Sequence, residues 1–247
     1  MTVMYKVLLV VAALAAGPAS AQGNAASPAK ACEPRALPFD KEARLWKHAP
    51  FSALKRDTVY TLLQEDGRTV LQGTAESAAS LYTAMLAPPL ASPAGLSWRW
   101  KTDALVPGAD NRDKGREDAP LRVLVGFDGD RKTLPPEEQK RFKRAERLSG
   151  KAPPYAVLMY IWSDHVPVGT IIPSAHTGRV KMLVVASGKD GLGQWQTMRR
   201  DLAADYRRAY GGEAGPLLGV AVMTDTDNTG TKAVGYYADI KLECATN

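Results

Sequence analysis

The segment GLSWRWKTDAL (residues 95–105) is the most informative starting point, because it alternates large aromatic and charged side chains. In a β-strand, successive side chains point to opposite faces, so Trp98 and Trp100 share one face while Arg99 and Lys101 share the other. Alternation of this kind is typical of a strand that covers a core with one of its faces. The segment therefore predicts a β-strand that is buried on one side.

Similar short segments, separated by turn residues, lie on both sides of it. Residues 57–76 predict a hairpin, and residues 155–164 (YAVLMYIWSD) are apolar on both faces, which predicts a central strand covered on both sides. The last segment, AVGYYADIKLEC (233–244), alternates so that Tyr236 is expected on its apolar face and Tyr237 on its polar face. Further strand-like segments lie at 119–130, 179–188 and 217–225.

Two segments have helical periodicity instead. Residues 134–149 carry Pro136 near the start, acids in the first turn and Gly150 at the end. Residues 194–210 predict a core-packed helix whose apolar stripe consists of Trp195, Met198, Leu202, Tyr206 and Tyr210. About eight strands and two connecting helices predict an all-β domain over residues 37–247, a β-sandwich of jelly-roll type.

Residues 1–21 have the features of a secretory signal peptide. Lys6 supplies a positive charge, residues 7–16 form an unbroken apolar run, and small residues precede the expected cleavage after Ala21. We therefore expect an exported protein, either periplasmic or secreted. No later segment is apolar enough to span a bilayer, and the small polar residues and prolines of 22–36 predict a flexible linker.

Cys32 and Cys244 are the two cysteines, and they lie near the two ends of the exported chain. In an oxidising compartment, an even number of cysteines favours a disulfide bond, with two unpaired thiols as the alternative. A bond between these residues requires the first and last parts of the domain to lie side by side.

The formal net charge of +6 comes from basic residues that are spread along the chain and mixed with acids. No nucleic-acid-binding motif occurs, and export argues against that partner, so we expect no nucleic acid to be bound. The charge supports at most a weak attraction to anionic lipid headgroups or acidic glycans. The sequence leaves the oligomeric state open.

The tryptophan pair has two interpretations. Two indoles on one strand face can stack on sugar rings, whereas large aromatic side chains on the inner face of a sandwich belong to the core. The core interpretation is favoured, although Trp98 and Trp100 stay candidates for a ligand platform. With the indoles in the core, Arg99 and Lys101 form the ligand face, where their charge-assisted hydrogen bonds suit a carboxylate or an acidic sugar.

The segment TDTDNTG (224–230) brings Asp225, Asp227 and Asn228 together after a strand. Oxygen atoms at this spacing suit Ca²⁺, so Asp225 and Asp227 are candidate metal ligands, and all three residues are candidates for ligand binding. The alternative is that these side chains cap a turn. The segment is not an EF-hand, because the twelfth position, which requires glutamate, is Tyr236 here.

Other acidic residues are less specific. The charged loop 108–118 could supply metal or glycan contacts, or be a mobile surface loop. Asp201 and Asp205 have arginine neighbours and are expected to form salt bridges. The histidines lack metal-ligand spacing, and no nucleophile motif occurs, so no cofactor other than Ca²⁺ is expected.

Several stretches occur together in this chain: LSWRWKTD, GADNRDKGREDAPLRV, YAVLMYIWS, RDLAADYRRAYG and MTDTDNTGTKAVGYYADI. Together they resemble the bacterial family called domain of unknown function 3047, from about residue 50 to residue 243. The resemblance implies an exported bacterial protein and no particular activity. The closing Tyr-Tyr pair followed by Asp-Ile is also similar to the galactose-binding-like jelly rolls of carbohydrate-binding modules, and Tyr237 of this pair is a candidate ligand-binding residue.

Three functions are compatible with these features. The first, which we favour, is non-catalytic binding of a carbohydrate or envelope polymer. The second is a glycan-active enzyme that uses the carboxylates of Asp225, Asp227 or the loop 108–118, which requires two carboxyl groups in one cleft. The third is a structural or interaction protein of the periplasm without a small ligand.

Overall fold

A computed structural model describes residues 34–39, 45–52, 54–91, 95–150 and 152–244. The predicted signal peptide and Cys32 lie outside the described residues. The chain is mostly β, with 48% strand and 12% helix, and this confirms the predicted β-sandwich of jelly-roll type.

The described strands form two sheets. In chain order they are β1 (Arg35–Ala36), β2 (Trp46–Pro50), β3 (Val59–Glu65), β4 (Arg68–Glu76), β5 (Ser80–Leu90), β6 (Gly95–Lys101), β7 (Ala119–Phe127), β8 (Ala156–Ser163), β9 (Ile171–Pro173), β10 (Val180–Ser187), β11 (Gln196–Asp201), β12 (Leu217–Asp225) and β13 (Lys232–Glu243). The six-stranded sheet has the order β11-β6-β13-β4-β3, and β1 also pairs with β13. The seven-stranded sheet has the order β2-β5-β12-β7-β8-β10-β9.

The core lies between the two sheets. Trp98 and Trp100 of β6 point into it and meet Tyr160 and Trp162 of β8, with ring centroids 5.2 Å and 6.3 Å apart. Aromatic side chains bury large apolar areas, so these four rings contribute strongly to the attraction between the sheets. Because β6 alternates, the same packing places Arg99 on the outside of the sandwich.

The seven-stranded sheet is covered on both faces. Strands β7, β8 and β12 are buried along their whole length, and for β8 this confirms the prediction from residues 155–164. A second apolar cluster, which includes Leu124, Met159 and Met182, covers the outer face of this sheet. The six-stranded sheet, by contrast, carries polar and charged side chains on its outer face.

One strand pair departs from the antiparallel pattern. Strands β8 and β10 are parallel, with Val157 opposite Val180. The chain between them contains β9, which pairs with β10 in the antiparallel sense. The sequence gives no sign of this pair, because parallel strands are usually recognised by a helix between them, and none lies here.

Two α-helices are described, and one begins later than the sequence predicts. Helix α1 (Pro136–Ser149) agrees with the prediction for 134–149. Helix α2 (Leu202–Tyr210) is only the second half of the helix predicted over 194–210, because β11 takes the first half. Asp201 ends β11 and caps α2, since its carboxylate accepts a hydrogen bond from the backbone N–H of Ala204 at 2.9 Å.

Of the two aspartates expected to form salt bridges, Asp205 does so, whereas the carboxylate of Asp201 caps the helix instead. The buried carboxylate of Asp205 binds the guanidinium of Arg200 at 2.6 Å and accepts a hydrogen bond from the hydroxyl of Tyr160 at 3.1 Å. Arg208 lies 3.8 Å from the same carboxylate. These contacts fix the helix against β8 and leave Asp205 no role at the surface.

Strand β13 contains a bulge that changes which residues face the core. The register against β6 shifts by one residue between Ala238 and Lys241, and Asp239 has a positive φ of 53°. An extra residue in one strand resets the alternation of its side chains. The predicted faces are therefore wrong before the bulge, where Tyr237 points inward and Tyr236 outward. They are right after it, where Ile240 and Leu242 face the core.

The two ends of the described chain lie side by side, because β1 pairs with β13 and Arg35 lies opposite Leu242. Residues 35–36, which the sequence assigns to the flexible linker 22–36, are therefore part of the sheet. None of the helices in the described ranges is long and apolar enough to cross a membrane.

Candidate functional site

A row of polar and aromatic side chains crosses the outer face of the six-stranded sheet, which we call the polar face. The strand register places Lys101 opposite Tyr236 and Tyr236 opposite Gln72. The ammonium of Lys101 lies 4.8 Å from the ring centroid of Tyr236, and the amide of Gln72 donates a hydrogen bond to the Tyr236 hydroxyl at 3.1 Å. These contacts hold the tyrosine ring in place beside the cation.

Trp195 stands at one end of this row. It directly precedes β11, and the first residue of that strand, Gln196, lies opposite Trp100 of β6. Its indole ring is half-exposed, and the cationic groups of Arg99 and Lys101 each lie 5.0 Å from its centroid. Cations at this distance are attracted to an indole ring, so the three side chains hold one another.

Glu65 at the end of β3 links the same groups. Its Oε1 atom accepts hydrogen bonds from the ammonium of Lys101 at 2.8 Å and from the indole N–H of Trp195 at 3.0 Å. These two bonds lower the pKa of the Glu65 carboxyl below its usual range, because both favour the charged form. Glu65 is therefore a fixed negative charge on the polar face at neutral pH.

Asp239 provides a second fixed carboxylate. The guanidinium groups of Arg68 on β4 and Arg99 on β6 donate to its Oδ2 atom at 3.1 Å and 3.2 Å. The bulge and the positive φ aim this side chain between two strands that both neighbour β13. Left-handed backbone in a residue other than glycine is uncommon, and such residues concentrate at functional sites.

These side chains surround a cleft of about 200 Å³ on the polar face. We call it the Trp195 cleft, and its lining residues are Glu65, Asp66, Arg68, Val70, Arg99, Trp195 and Ala238. The cleft combines one indole with carboxylates and guanidinium groups whose positions are fixed by mutual contacts. Small-ligand sites typically combine an aromatic wall with a small number of polar groups that point toward the ligand.

Among the predicted site residues, Arg99 lines this cleft and Lys101 contacts two of its lining residues, Glu65 and Trp195, whereas the tryptophan pair is not part of it. Trp98 and Trp100 are 1% and 0% exposed, and their rings meet edge to face with centroids 5.4 Å apart. The core interpretation is confirmed. A platform formed by these two residues is excluded, because no ligand at the surface can reach their rings.

Tyr237 is also in the core, which corrects its assignment to the ligand face. It is fully buried, and its hydroxyl donates to the carbonyl oxygen of Met223 and lies 2.9 Å from the hydroxyl of Thr224. Burial raises the pKa of this phenol well above its usual value. The outward tyrosine of the pair is Tyr236, because the bulge at Asp239 shifts the alternation.

The acidic loop 224–230 lies at the seven-stranded sheet, away from the polar face. Carboxylate oxygens of Asp118, Asp225 and Asp227 come within 4.8 Å of one another, so the sequence places two of the three correctly. Asp225 binds the buried guanidinium of Arg122 at 2.7 Å, and Asp227 forms an ion pair with Lys55. Two cations thus already balance two of the three carboxylates, those of Asp225 and Asp227.

The remaining contacts of the cluster hold the loop itself. Asp118 accepts hydrogen bonds from the backbone N–H groups of Asn228 and Thr229 and from the Thr229 hydroxyl. Burial raises the pKa of Asp225 to about 8, although the charge of Arg122 opposes the rise. Because Asp225 already pairs with Arg122 and Asp227 with Lys55, this donor set suits a loop-capping network better than it suits Ca²⁺.

The loop 108–118 behaves similarly. Asp110 accepts a hydrogen bond from the backbone N–H of Arg112 at 3.0 Å, and Asp113 accepts one from Gly115 at 2.8 Å. Glu117 has its pKa raised by burial. The carboxylates of Asp110 and Asp113 therefore shape turns, and no two carboxyl groups of this loop line the Trp195 cleft.

Sequence reasoning missed much of the site: Glu65, Arg68, Trp195, Tyr236 and Asp239. Trp195 belongs to the predicted helical core stripe, and QTMRRD (196–201) contains a single apolar residue, Met198, so no local alternation identifies the strand. Asp239 could not be recognised, because nothing in the sequence marks the bulge.

The family is identified by sequence comparison. A family model described as "Protein of unknown function (DUF3047)" matches residues 44–241. This chain belongs to that family. The match confirms the resemblance that the sequence stretches indicate, and no curated protein matches the chain.

The fold comparison finds carbohydrate-binding modules. The family 11 module of the cellulosomal cellulase Lic26A-Cel5E of Clostridium thermocellum aligns with 88% of this chain, and the alignment includes 98% of the module's chain. The sequence identity is 8% and the TM-score is 0.46. A Clostridium thermocellum family 11 module in complex with a β-1,3-1,4-mixed-linked tetrasaccharide aligns with 87% of this chain and with 97% of the module's chain, at 7% identity and a TM-score of 0.43. At this identity, the ligand of neither module transfers to this chain.

Proposed function

We propose that this protein binds a carbohydrate or a related envelope polymer at the Trp195 cleft without cleaving it. The observation that carries the proposal is the half-exposed indole of Trp195 at a cleft whose other walls are paired carboxylates and guanidinium groups. A sugar ring has an apolar face and a rim of hydroxyls, so it needs both an aromatic surface and fixed hydrogen-bonding groups. The cleft supplies both.

The rigidity of the site supports binding. Glu65 fixes Lys101 and Trp195, while Asp239 fixes Arg68 and Arg99. Side chains that are already held in place lose less freedom when a ligand binds, and this favours affinity.

The acid–base properties of the site support binding over cleavage. A general acid in glycoside cleavage needs a raised pKa, whereas the pKa of Glu65 is lowered. Asp225, whose pKa is raised, is 2% exposed and paired with Arg122 at the other sheet. The carboxyl group of Glu65 at the Trp195 cleft is therefore poorly suited to protonating a leaving group in the way that glycosidases do.

Export and a Cys32–Cys244 disulfide are part of the same proposal. The signal-like residues 1–21 would send the protein to the periplasm or out of the cell, where polymers of the envelope are available. The pairing of β1 with β13 brings the residues after Cys32 beside those before Cys244, which is the arrangement that a disulfide between them requires.

A glycan array tests the proposal. We expect the wild-type protein to bind specific glycans and Trp195→Ala to lose this binding. Tyr155→Ala is the matched control, because this half-exposed ring also stacks on an arginine, with the guanidinium of Arg179 4.1 Å from its centroid, but lies at the other sheet. Absence of binding by the folded wild-type protein, or equal binding by Trp195→Ala, would overturn the proposal.

A further inference from the structure

Two carboxylates of the polar face, those of Glu65 and Asp239, each use a single oxygen for their contacts. Glu65 accepts both of its hydrogen bonds at Oε1, and Asp239 accepts both of its hydrogen bonds at Oδ2. Within the described part of the chain, Oε2 of Glu65 and Oδ1 of Asp239 accept no hydrogen bond. With side chains 35% and 45% exposed, both residues offer an oxygen to a ligand from the surface.

The cations of the site have spare donors beside these oxygens. A guanidinium carries five N–H donors, and Arg68 and Arg99 each direct one of them to Asp239. Both arginines line the Trp195 cleft, and within the described residues their remaining N–H groups donate no hydrogen bond. The site thus presents acceptors and donors as neighbours, and adjacent hydroxyls of a sugar ring have the complementary pattern, because each hydroxyl both donates and accepts.

The charges of the site balance. Three cationic side chains, Arg68, Arg99 and Lys101, face the three anionic side chains of Glu65, Asp66 and Asp239. An acidic glycan would gain no net attraction here. Its carboxylate would also approach the outward oxygens of Glu65 and Asp239, or would have to displace them from their partners.

From this geometry we infer that the Trp195 cleft selects neutral glycans with adjacent free hydroxyls and discriminates against acidic glycans. The inference deepens the proposed function and rests on it. The exposed cations alone suggest an acidic sugar as the ligand. We infer a neutral glycan instead, because Arg99 and Lys101 already have carboxylate partners within the protein. Glu65 and Asp239 act as acceptors for sugar hydroxyls, through charge-assisted hydrogen bonds.

Calorimetric titration with neutral hexose oligosaccharides and with uronate oligosaccharides of the same length tests this inference. We expect saturable binding of a neutral oligosaccharide, no saturable binding of its uronate counterpart, and little change in Kd between about 50 mM and about 500 mM NaCl, since screening weakens only interactions between exposed charges. Tighter binding of the uronate, weakened by salt, would overturn the inference and leave the proposed function standing. Failure to bind either probe would instead overturn the proposed function.

Two variants separate the acceptor role from a structural one. Glu65→Gln and Asp239→Asn keep the shape of the side chains, and asparagine tolerates a positive φ as aspartate does, so both variants should fold. We expect each substitution to raise the Kd for the neutral oligosaccharide about tenfold or more, because a charged acceptor is lost. Arg199→Ala, which removes an exposed partner of Glu243 outside the cleft, should bind like the wild type. Unchanged binding by both acceptor variants would contradict the inference.

Discussion

Arg68 and Arg99, which lie on the two strands that flank β13, donate to the same oxygen atom of Asp239 at 3.1 Å and 3.2 Å. Asp239 is also the residue at which β13 bulges. One local irregularity therefore has two consequences. It turns Ile240 and Leu242 into the core, and it places a carboxylate between two guanidinium groups on the polar face.

The positive φ of Asp239 predicts a stability difference between substitutions. A left-handed conformation costs about 1–2 kcal/mol for a residue with a branched Cβ relative to asparagine or glycine. We expect Asp239→Val to lower the free energy of unfolding by at least about this amount more than Asp239→Asn does. Valine adds strain and also removes the oxygen to which Arg68 and Arg99 donate, whereas asparagine keeps an acceptor. Urea unfolding of the two variants measures the difference. Equal stabilities would argue against a strained bulge.

The burial of the tryptophan pair predicts that Trp98 and Trp195 differ in what they stabilise. Trp98→Ala should lower the free energy of unfolding by about 3–5 kcal/mol, because it leaves a cavity between the sheets. Trp195→Ala should cost less than about 2 kcal/mol, since it removes two cation–ring contacts at the surface. Thermal or chemical unfolding of both variants checks this order, and the reverse order would place Trp195 in the core.

The acidic loop 224–230 predicts the response to calcium. Arg122 and Lys55 neutralise Asp225 and Asp227, so millimolar Ca²⁺ or its chelation should leave the Tm unchanged. Differential scanning calorimetry with and without Ca²⁺ gives the answer. A saturable rise in Tm that disappears in Asp225→Asn would restore the calcium site that the sequence suggests.

The lowered pKa of Glu65 predicts how binding depends on pH. A carboxyl group with a depressed pKa stays charged below the ordinary glutamate value of 4.5, and its contribution is lost only as the pH falls through the depressed pKa. Glycan affinity should therefore be constant from pH 7 to pH 5 and fall below pH 4.5, the ordinary value, and the fall should be smaller for Glu65→Gln. Titrations at several pH values, with folding followed by circular dichroism, measure this. An affinity that already falls between pH 6 and pH 5 would contradict the assignment of Glu65.

The sequence predicts the features that follow from regular alternation. The buried face of β6 and its charged outer face follow from the spacing of Trp98, Arg99, Trp100 and Lys101, since a strand side chain can point to only two sides. The central position of β8 follows from its apolar residues on both faces. Helix α1 follows from its proline and glycine boundaries.

The missed features depend on contacts between segments that are distant in sequence. Residues 196–201 have weak helical periodicity, and they become a strand because β6 offers an unpaired edge. As a result, Trp195 lies on the polar face and not in the core, where the helix prediction places it. The bulge at Asp239 is set by pairing with β6, and the pairing of Asp225 with Arg122 spans two strands, so neither could be derived from a local pattern.

The most direct test of the binding site is the set of indole N–H signals in a nitrogen-15 NMR spectrum during titration with a bound glycan. The protein has five tryptophans, and Trp195→Phe assigns the signal of the half-exposed one. Binding at the Trp195 cleft predicts that this signal shifts with saturation, because its N–H is held by Glu65 at the cleft, while the signals of buried Trp98 and Trp100 stay in place. A glycan that shifts other indole signals and leaves that of Trp195 unmoved would contradict the account.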